Sequence, residues 1–432
     1  MGKTIVIDNG GCSIKVGLVG QEKPARVVPN CIVKSGADKK GYIGDQVDSI
    51  KDISSLTVRR PIEKGYIINW DAQREVWNHV FKNVLKVDTE GCDLVITEPL
   101  FTLPSIQGAL DEVLFGEYRF RRVRYASAPE LVLSYQASRD LSSPQTGILK
   151  EAVRAMCGVV LDAGFSFTHA VPIFDGATLD ASVRRINLGG KALTNLMKEL
   201  VSFRAWNMMD EYFIIEDVKE KTCYCAQDIR VELKEAHKPP AVNMIRREYV
   251  LPDGVKHLRG YVKDAEETRS TAGKRKRPAA PAGGASDTIS LEDQVLPLTN
   301  ERFMVPEALF QPADIGVNQA GIAEAIVQAV SSANPELHEL LYGNVLVCGG
   351  CACFPGFLER LYNDLRSLVP DEYELNVRVV EDPVCAAWHG GVLAASKSEM
   401  DRCAATRKNY LHEGSRAQTA GVPSALAPDR GR

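Results

Sequence analysis

The chain has 432 residues, with 52 Lys and Arg against 56 Asp and Glu and 45% hydrophobic residues, enough for two or more globular cores. Its net charge of -4 gives no global electrostatic case for nucleic-acid or membrane-surface binding, and no apolar run approaches the roughly 20 residues of a membrane span. Eleven cysteines, odd in number and irregularly spaced in a chain too large to need staples, point to a reducing compartment, cytosol or nucleus.

The N-terminal "MGKTIVIDNG" enters a strand at once, which leaves no room for a signal peptide, and Val6 stands where a myristoylation signal needs Ser or Thr. The stretch "TIVIDNGGCSIKVGLV" (4–19) reads as an apolar strand, an Asp-x-Gly turn and a second apolar strand. "DAQREVWNHVFKNVL" (71–85) has the three- and four-residue apolar spacing of a helix. "GVVLDAGFSFTHAVPI" (158–173) repeats the strand, Asp-x-Gly, strand pattern of the first hairpin. Two such hairpins so far apart predict a duplicated α/β protein, each lobe offering one aspartate to a shared cleft. From Asp264 to Asp287 the chain is charged and then Pro/Ala/Gly-rich, the composition of an exposed disordered loop. Helices are predicted over 321–333 and 356–369, and a polar tail from about residue 404.

Asp8, Gly10, Gly11 and Lys15 of the first hairpin suit a nucleotide. Glycines let backbone N–H groups approach phosphate oxygens, a lysine adds a point charge, and an aspartate can hold a hydrated Mg²⁺. A plain glycine-turn hairpin is the competing reading. Asp162 and Gly164 repeat the pattern, and then Phe165 interrupts it. In "NVLVCGGCACFPGF" (344–357), Gly349 and Gly350 sit between strand and helix, which suits close approach of a phosphate or purine. The Cys348-x-x-Cys351 pair with Cys353 nearby raises a redox or metal alternative. No second Cys/His pair lies at zinc-ligand spacing, so no zinc is expected.

The two hairpins and the late Gly-Gly turn resemble the phosphate-1, phosphate-2 and adenosine motifs of the actin, Hsp70 and sugar-kinase superfamily. Further stretches resemble actin itself and run in its order: "YIGDQV" (42–47), "PIEKGYIINWD" (61–71), "ITEPL" (96–100), "DVKEKTCYCAQD" (217–228), "FPGF" (354–357) and "AAWHGG" (386–391). The resemblance implies an α/β actin-like fold, two duplicated ribonuclease-H-like lobes around a nucleotide cleft, in four subdomains. It places the first lobe core in 1–30, 62–152 and 385–403, with a small, shortened second subdomain in 31–61. The second lobe core takes 153–188 and 308–384, the fourth subdomain 189–307, and 404–432 remain as a flexible tail. It also makes Lys219 and Glu220 the pair that flanks the nucleoside, and Asp8 and Asp162 the carboxylates that hold Mg²⁺ through water.

The departures from the family pattern are specific. Actin has a serine where this chain has Gly11, and an aspartate where it has Phe165; the family's water-orienting glutamine falls near Pro129-Glu130. Pro383-Val384-Cys385 replace the stretch carrying a lysine beside the purine. One lost charge-assisted partner costs about 1.5–3 kcal/mol, which binding survives better than hydrolysis does. The expectation is a cleft that takes ATP or ADP with Mg²⁺ and turns over little or none, with no catalytic residue assigned. A competent ATPase, with Glu130 as its carboxylate and help from His169, is the alternative.

Only "KSGADKKG" (34–41) stands where actin has its long subunit-gripping loop, so a self-polymerising filament is not expected. Lys274, Arg275, Lys276 and Arg277 form a compact basic cluster of the kind import receptors read. Within the family, "GYIINWDAQREVW", "ITEPLFTLPSIQ", "GFSFTHAVP" and "NERFMVPEALFQPADIG" look most like a nuclear member. That resemblance implies a structural subunit of an SWR-type chromatin remodeller, which exchanges histone H2-A for its Z variant. Its partners would be other remodeller subunits and, through them, the nucleosome or histones, with no membrane. Its location would be the nucleus with some cytoplasm. A cytoplasmic cytoskeletal role is the remaining alternative.

Overall fold

The computed structural model describes residues 2–35, 41–142, 156–204, 206–264, 266 and 294–416. The basic cluster at 274–277, most of the 264–287 segment and residues 36–40 of the shortened loop lie outside them. Among the described residues no helix is long and apolar enough to cross a membrane.

Two mixed sheets form the lobes, and they share one connection order. In the first, β1 (Thr4–Asn9) pairs antiparallel with β2 (Ser13–Leu18), and β2 with β3 (Arg26–Pro29). On its other side β1 pairs parallel with β4 (Asp93–Thr97), and β4 with β5 (Arg122–Ala126). In the second, β6 (Gly158–Ala163) pairs antiparallel with β7 (Thr168–Phe174), which in turn pairs with β8 (Ala177–Thr178) and β9 (Arg184–Ile186). Strand β6 then pairs parallel with β10 (Val345–Cys348), and β10 with β11 (Val377–Val379). The duplication read from two short hairpins therefore extends through five strand positions of each sheet. The strands flanked on both sides are continuous apolar runs, as sheets covered on both faces require.

The three expected helices form close to their predicted limits, as α1 (Trp70–His79), prolonged by a wider turn over Val80–Leu85, α5 (Ile322–Ser331) and α6 (Phe357–Leu368). Between them lie three further helices, α2 (Ala128–Ser142), α3 (Gly190–Arg204) and α4 (Tyr212–Thr222). On α6, Phe357, Leu361 and Leu365 recur every four residues and are buried, so one stripe faces the core. Two small three-stranded sheets, one of residues 32–34, 41–43 and 57–59, the other of 247–250, 261–262 and 295–298, sit in the two smaller subdomains.

The lobes meet along α2 and α7 (Ala386–Ala394). Consecutive residues of α2 serve opposite lobes: Leu131 packs with Val6, Val95 and Trp388, while Val132 and Leu133 pack with Val160 and Leu346. The Trp388 indole donates to the Val6 carbonyl at 3.1 Å, pinning α7 to β1. A Cβ on Gly390 would lie 2.0 Å from the Leu131 carbonyl oxygen, so only glycine permits this helix crossing.

The expected tail differs from the structure up to residue 416. β12 (Ala405–Thr406) pairs with β5, and α8 (Arg407–Glu413) follows, capped by Thr406 Oγ1 accepting from the Asn409 N–H at 3.1 Å. Tyr410 stacks on Phe115, and Arg416 bridges Glu98 at 2.8 Å and Asp111 at 3.1 Å. The polar composition that reads as a frayed end is explained by partners on the first lobe. Residues 417–432 lie outside the described chain.

The Gly390→Ala variant is expected to lose about 1–3 kcal/mol of stability, because backbone rather than a movable side chain stands in the way. Denaturant unfolding of the purified chain measures this.

Candidate nucleotide-binding cleft

Hairpin register places the candidate carboxylates. Asp8 pairs across β1–β2 with Lys15, and Asp162 pairs across β6–β7 with His169, so the two lobes repeat the same seven-residue turn. On its parallel side each aspartate also has a donor. Thr97 Oγ1 donates to Asp8 Oδ1 at 3.0 Å, and the Cys348 thiol bonds Asp162 from the register-matched place on β10. The repeat thus surrounds each aspartate with a cross-strand nitrogen base and a side-chain donor from the next strand.

The chemistry of the two copies differs. Lys15 Nζ lies 3.2 Å from Asp8 Oδ2, whereas His169 is held neutral, its pKa lowered to about 4 by burial and by Arg185. Burial and the neighbouring Asp8 carboxylate push Asp162 from an ordinary 3.8 up to about 6. A pair of carboxylates so placed favours a cation between them. That donor set fits Mg²⁺ held through water, which would neutralise phosphate charge when a nucleotide is bound.

The hairpin turns open into a cavity of about 510 Å³, within the roughly 300–1,000 Å³ of small-molecule sites. Asp8, Gly10, Gly11, Lys15, Asp162, Gly164, Lys219, Glu220, Gly349 and Gly350 all line it, so the ten residues selected from sequence converge on one space. Gly349 has φ +91°, and a Cβ there would lie 2.3 Å from the Ala163 carbonyl oxygen, so this turn is held against β6. A Cβ on Gly350 would meet nothing within 4 Å, which makes its backbone open to a ligand. Lys219 Nζ donates to Thr194 Oγ1 at 2.9 Å, anchored to α3 from α4. Burial and Glu216 raise the Glu220 carboxyl above its usual range. These features fit an adenine nucleotide with its metal.

Gly11 and Phe165, two separate departures when read along the chain, are neighbours in space. Each stands three residues after its lobe's aspartate, and the two turns face each other: a Cβ on Gly11 would lie 3.4 Å from Phe165 Cδ1 and 2.9 Å from Ser166 Oγ. A side chain at Gly11 would reach van der Waals contact with the Phe165 ring and crowd the Ser166 hydroxyl. Phe165 lines the cavity, where its ring offers neither ligand nor base.

Glu130 does not stand in for the family glutamine. Its Oε1 accepts from Thr178 Oγ1 at 2.8 Å, which ties α2 to β8, and it is not among the residues lining the cavity. The metal reading of the cysteines also fails. Cys348 bonds Asp162, Cys351 contacts the Gly164 carbonyl at 3.5 Å, and Cys353 is exposed. Burial raises the Cys351 thiol to about 12, the opposite of what a metal ligand or redox thiol needs. Among the described residues no three His, Cys, Asp or Glu side chains are placed to hold a metal. Thr97, Glu98 and Glu216 also line the cleft without having been selected, because each reaches it from an element with no glycine turn to mark it.

The chain, with its two equivalent Asp-x-Gly turns across one cleft, belongs to the actin family, whose model matches residues 2–420. Within that family the chain is similar, over nearly its whole length, to proteins that share one name. Actin-related protein 6 of Oryza sativa subsp. indica is 42% identical over 428 residues, covering 95% of this chain and 96% of its own. Actin-related protein 6 of Arabidopsis thaliana is 41% identical, with 96% and 98% covered, and that of Drosophila melanogaster 37%, with 95% and 97%.

In the nucleotide-free protein the folded state holds a proton on Asp162 between roughly pH 4 and 6 that the unfolded chain has released. Stability therefore falls as pH rises through that window and levels off above it. Asp162→Asn removes this dependence and adds about 1–2 kcal/mol at neutral pH, after discounting for water at the cleft wall. It also abolishes stabilisation by Mg·ATP; thermal melts with and without ligand read both effects. Gly11→Ser is expected to cost at most about 1 kcal/mol in the native background and less beside Ser166→Ala, whose hydroxyl is the atom an added Cβ crowds, a coupling read in a double-mutant cycle.

Proposed function

We propose that this chain is a nuclear, non-filamentous structural subunit of an SWR-type chromatin-remodelling complex, which replaces histone H2-A by its Z variant. It holds ATP or ADP with Mg²⁺ as a clamp between its lobes and turns over little or none. Other subunits grip the two-lobed body and bridge it to the nucleosome, while a separate motor subunit supplies the work. The observation that carries the clamp reading is the Phe165 ring facing Gly11 in the cavity where the family has an aspartate and a serine. Hydrolysis in this superfamily needs a positioned water, and Glu130 is bound to Thr178 instead of facing it. The remodeller assignment is supported by end-to-end similarity to proteins named actin-related protein 6. The nuclear location is supported by the cluster Lys274, Arg275, Lys276 and Arg277.

The test is the nucleotide released on denaturing the purified chain, with a parallel ATPase assay and affinity purification from nuclear extract. Bound adenine nucleotide, turnover at background and recovery of remodeller and histone components are expected. Sustained hydrolysis would establish an ATPase instead, and a cytosolic protein sedimenting with microfilaments would establish the cytoskeletal role.

A further inference from the structure

The first phosphate turn is shaped from behind by two residues, Asn30 and Arg60, that do not line the cavity. Asn30, which follows β3, donates from its side-chain amide to the Gly10 carbonyl at 3.0 Å, and its backbone N–H donates to the Cys12 carbonyl at 2.8 Å. Arg60 donates to the same Cys12 carbonyl at 3.2 Å and to the Gly11 carbonyl at 3.4 Å. The consecutive carbonyls of Gly10, Gly11 and Cys12 therefore all turn toward these donors. In a planar trans peptide the carbonyl and the N–H that follows it point to opposite sides. The N–H groups of Gly11, Cys12 and Ser13 thus point away from Asn30 and Arg60, and Gly10, Gly11, Cys12 and Ser13 all line the cavity. A run of N–H groups aimed into one space is the backbone form of an anion site.

Both donors are themselves held. Asn30 and Gln73 of α1 are fully buried and exchange side-chain amide hydrogen bonds at 3.5 and 3.4 Å. The Arg60 guanidinium lies 4.7 Å from the Phe165 ring centroid and 5.2 Å from that of Tyr212, and its side chain is 10% exposed. Glu216 stands 4.0 Å from it, the outer limit of an ion pair, and accepts from the Tyr212 hydroxyl at the closer distance of 2.8 Å. The charge of Arg60 is therefore loosely compensated, in surroundings where water screens it little, and it polarises the two peptides it holds.

We propose that Arg60 and Asn30 are positioning residues for phosphate, acting through the backbone of the first turn. Asn30 fixes the shape of the turn, and Arg60 strengthens its N–H groups as donors, which offsets the hydroxyl that Gly11 lacks. The role toward a nucleotide rests on the nucleotide reading above; the backing of the turn does not.

Calorimetric binding of adenosine, Mg·ADP and Mg·pyrophosphate to the purified chain, stripped of nucleotide, tests this role. Arg60→Met is expected to weaken Mg·ADP and Mg·pyrophosphate about tenfold or more, the scale of one charge-assisted hydrogen bond, and to leave adenosine within about twofold. Arg60→Lys, which keeps the charge, should fall between the parent and Arg60→Met. Unchanged Mg·ADP affinity, or equal losses for adenosine and Mg·ADP, would make Arg60 a packing residue and overturn the proposal. A lysine variant no better than the methionine one would overturn it too, and this comparison decides the matter where adenosine binds too weakly to read. Should Arg60→Met not fold, Arg60→Gln takes its place. A parent chain that binds pyrophosphate but no nucleotide would sink the nucleotide reading, and the pyrophosphate comparison would still decide the role of Arg60. Binding of neither would overturn both.

Discussion

The close crossing of α7 over α2, backbone against backbone at Gly390 and Leu131, is the constraint on which the remaining geometry depends. Because no side chain separates the helices there, Leu131 can pack into the first lobe while Val132 and Leu133 pack into the second. Trp388, hydrogen-bonded to Val6 beneath the first sheet, fixes α7 to the strand that ends in Asp8. The position of the first phosphate turn relative to the second is therefore set by dense apolar packing at the hinge, where small displacements are costly.

On that frame the two lobes present equivalent turns that chemistry has made unequal. Asp8 keeps a lysine across its hairpin and a threonine beside it, and its charge is compensated without a ligand. Asp162 has a neutral histidine and a thiol in the corresponding places, and its proton is retained far above the ordinary range. A cleft with one compensated and one uncompensated carboxylate retains an electrostatic demand for a cation. At the phosphate end the demand is of another kind: Gly11, Phe165 and Arg60 form a packed crossing, and the space a catalytic carboxylate would need is filled by an aromatic ring. The position that offers no acceptor in the second lobe, Phe165, gains a contact with Arg60 instead.

Much of the fold was legible in the sequence because its signals are local. An apolar strand, Asp-x-Gly and another strand identify each hairpin within about fifteen residues, and a glycine pair before a helix marks the third turn. The eight cavity residues chosen on those grounds line one cleft because hairpin register and strand order leave them few other directions, and Lys219 and Glu220, carried over from the family resemblance, reach it from α4. What holds Glu130, the carboxylate that the ATPase alternative would need, lies outside local sequence: its partner Thr178 arrives on β8 from the other lobe. The segment after residue 404 looked like a tail because its Arg and Tyr residues are ordinary surface types. Their partners Glu98, Asp111 and Phe115 lie some three hundred residues away in sequence, at one edge of the first lobe.

The sequence by itself determined the duplication, the two facing aspartates and the glycine turns, because each is written in a short run whose backbone geometry allows little else. It also exposed the departures at Gly11 and Phe165, but as unrelated substitutions. Only the tertiary structure decided that the two face each other, that Arg60 lies over the Phe165 ring and that the small subdomain completes its core on the opposite lobe. Those outcomes depend on side chains brought within van der Waals distance by the hinge, and no local pattern along the chain encodes a contact made across a cleft.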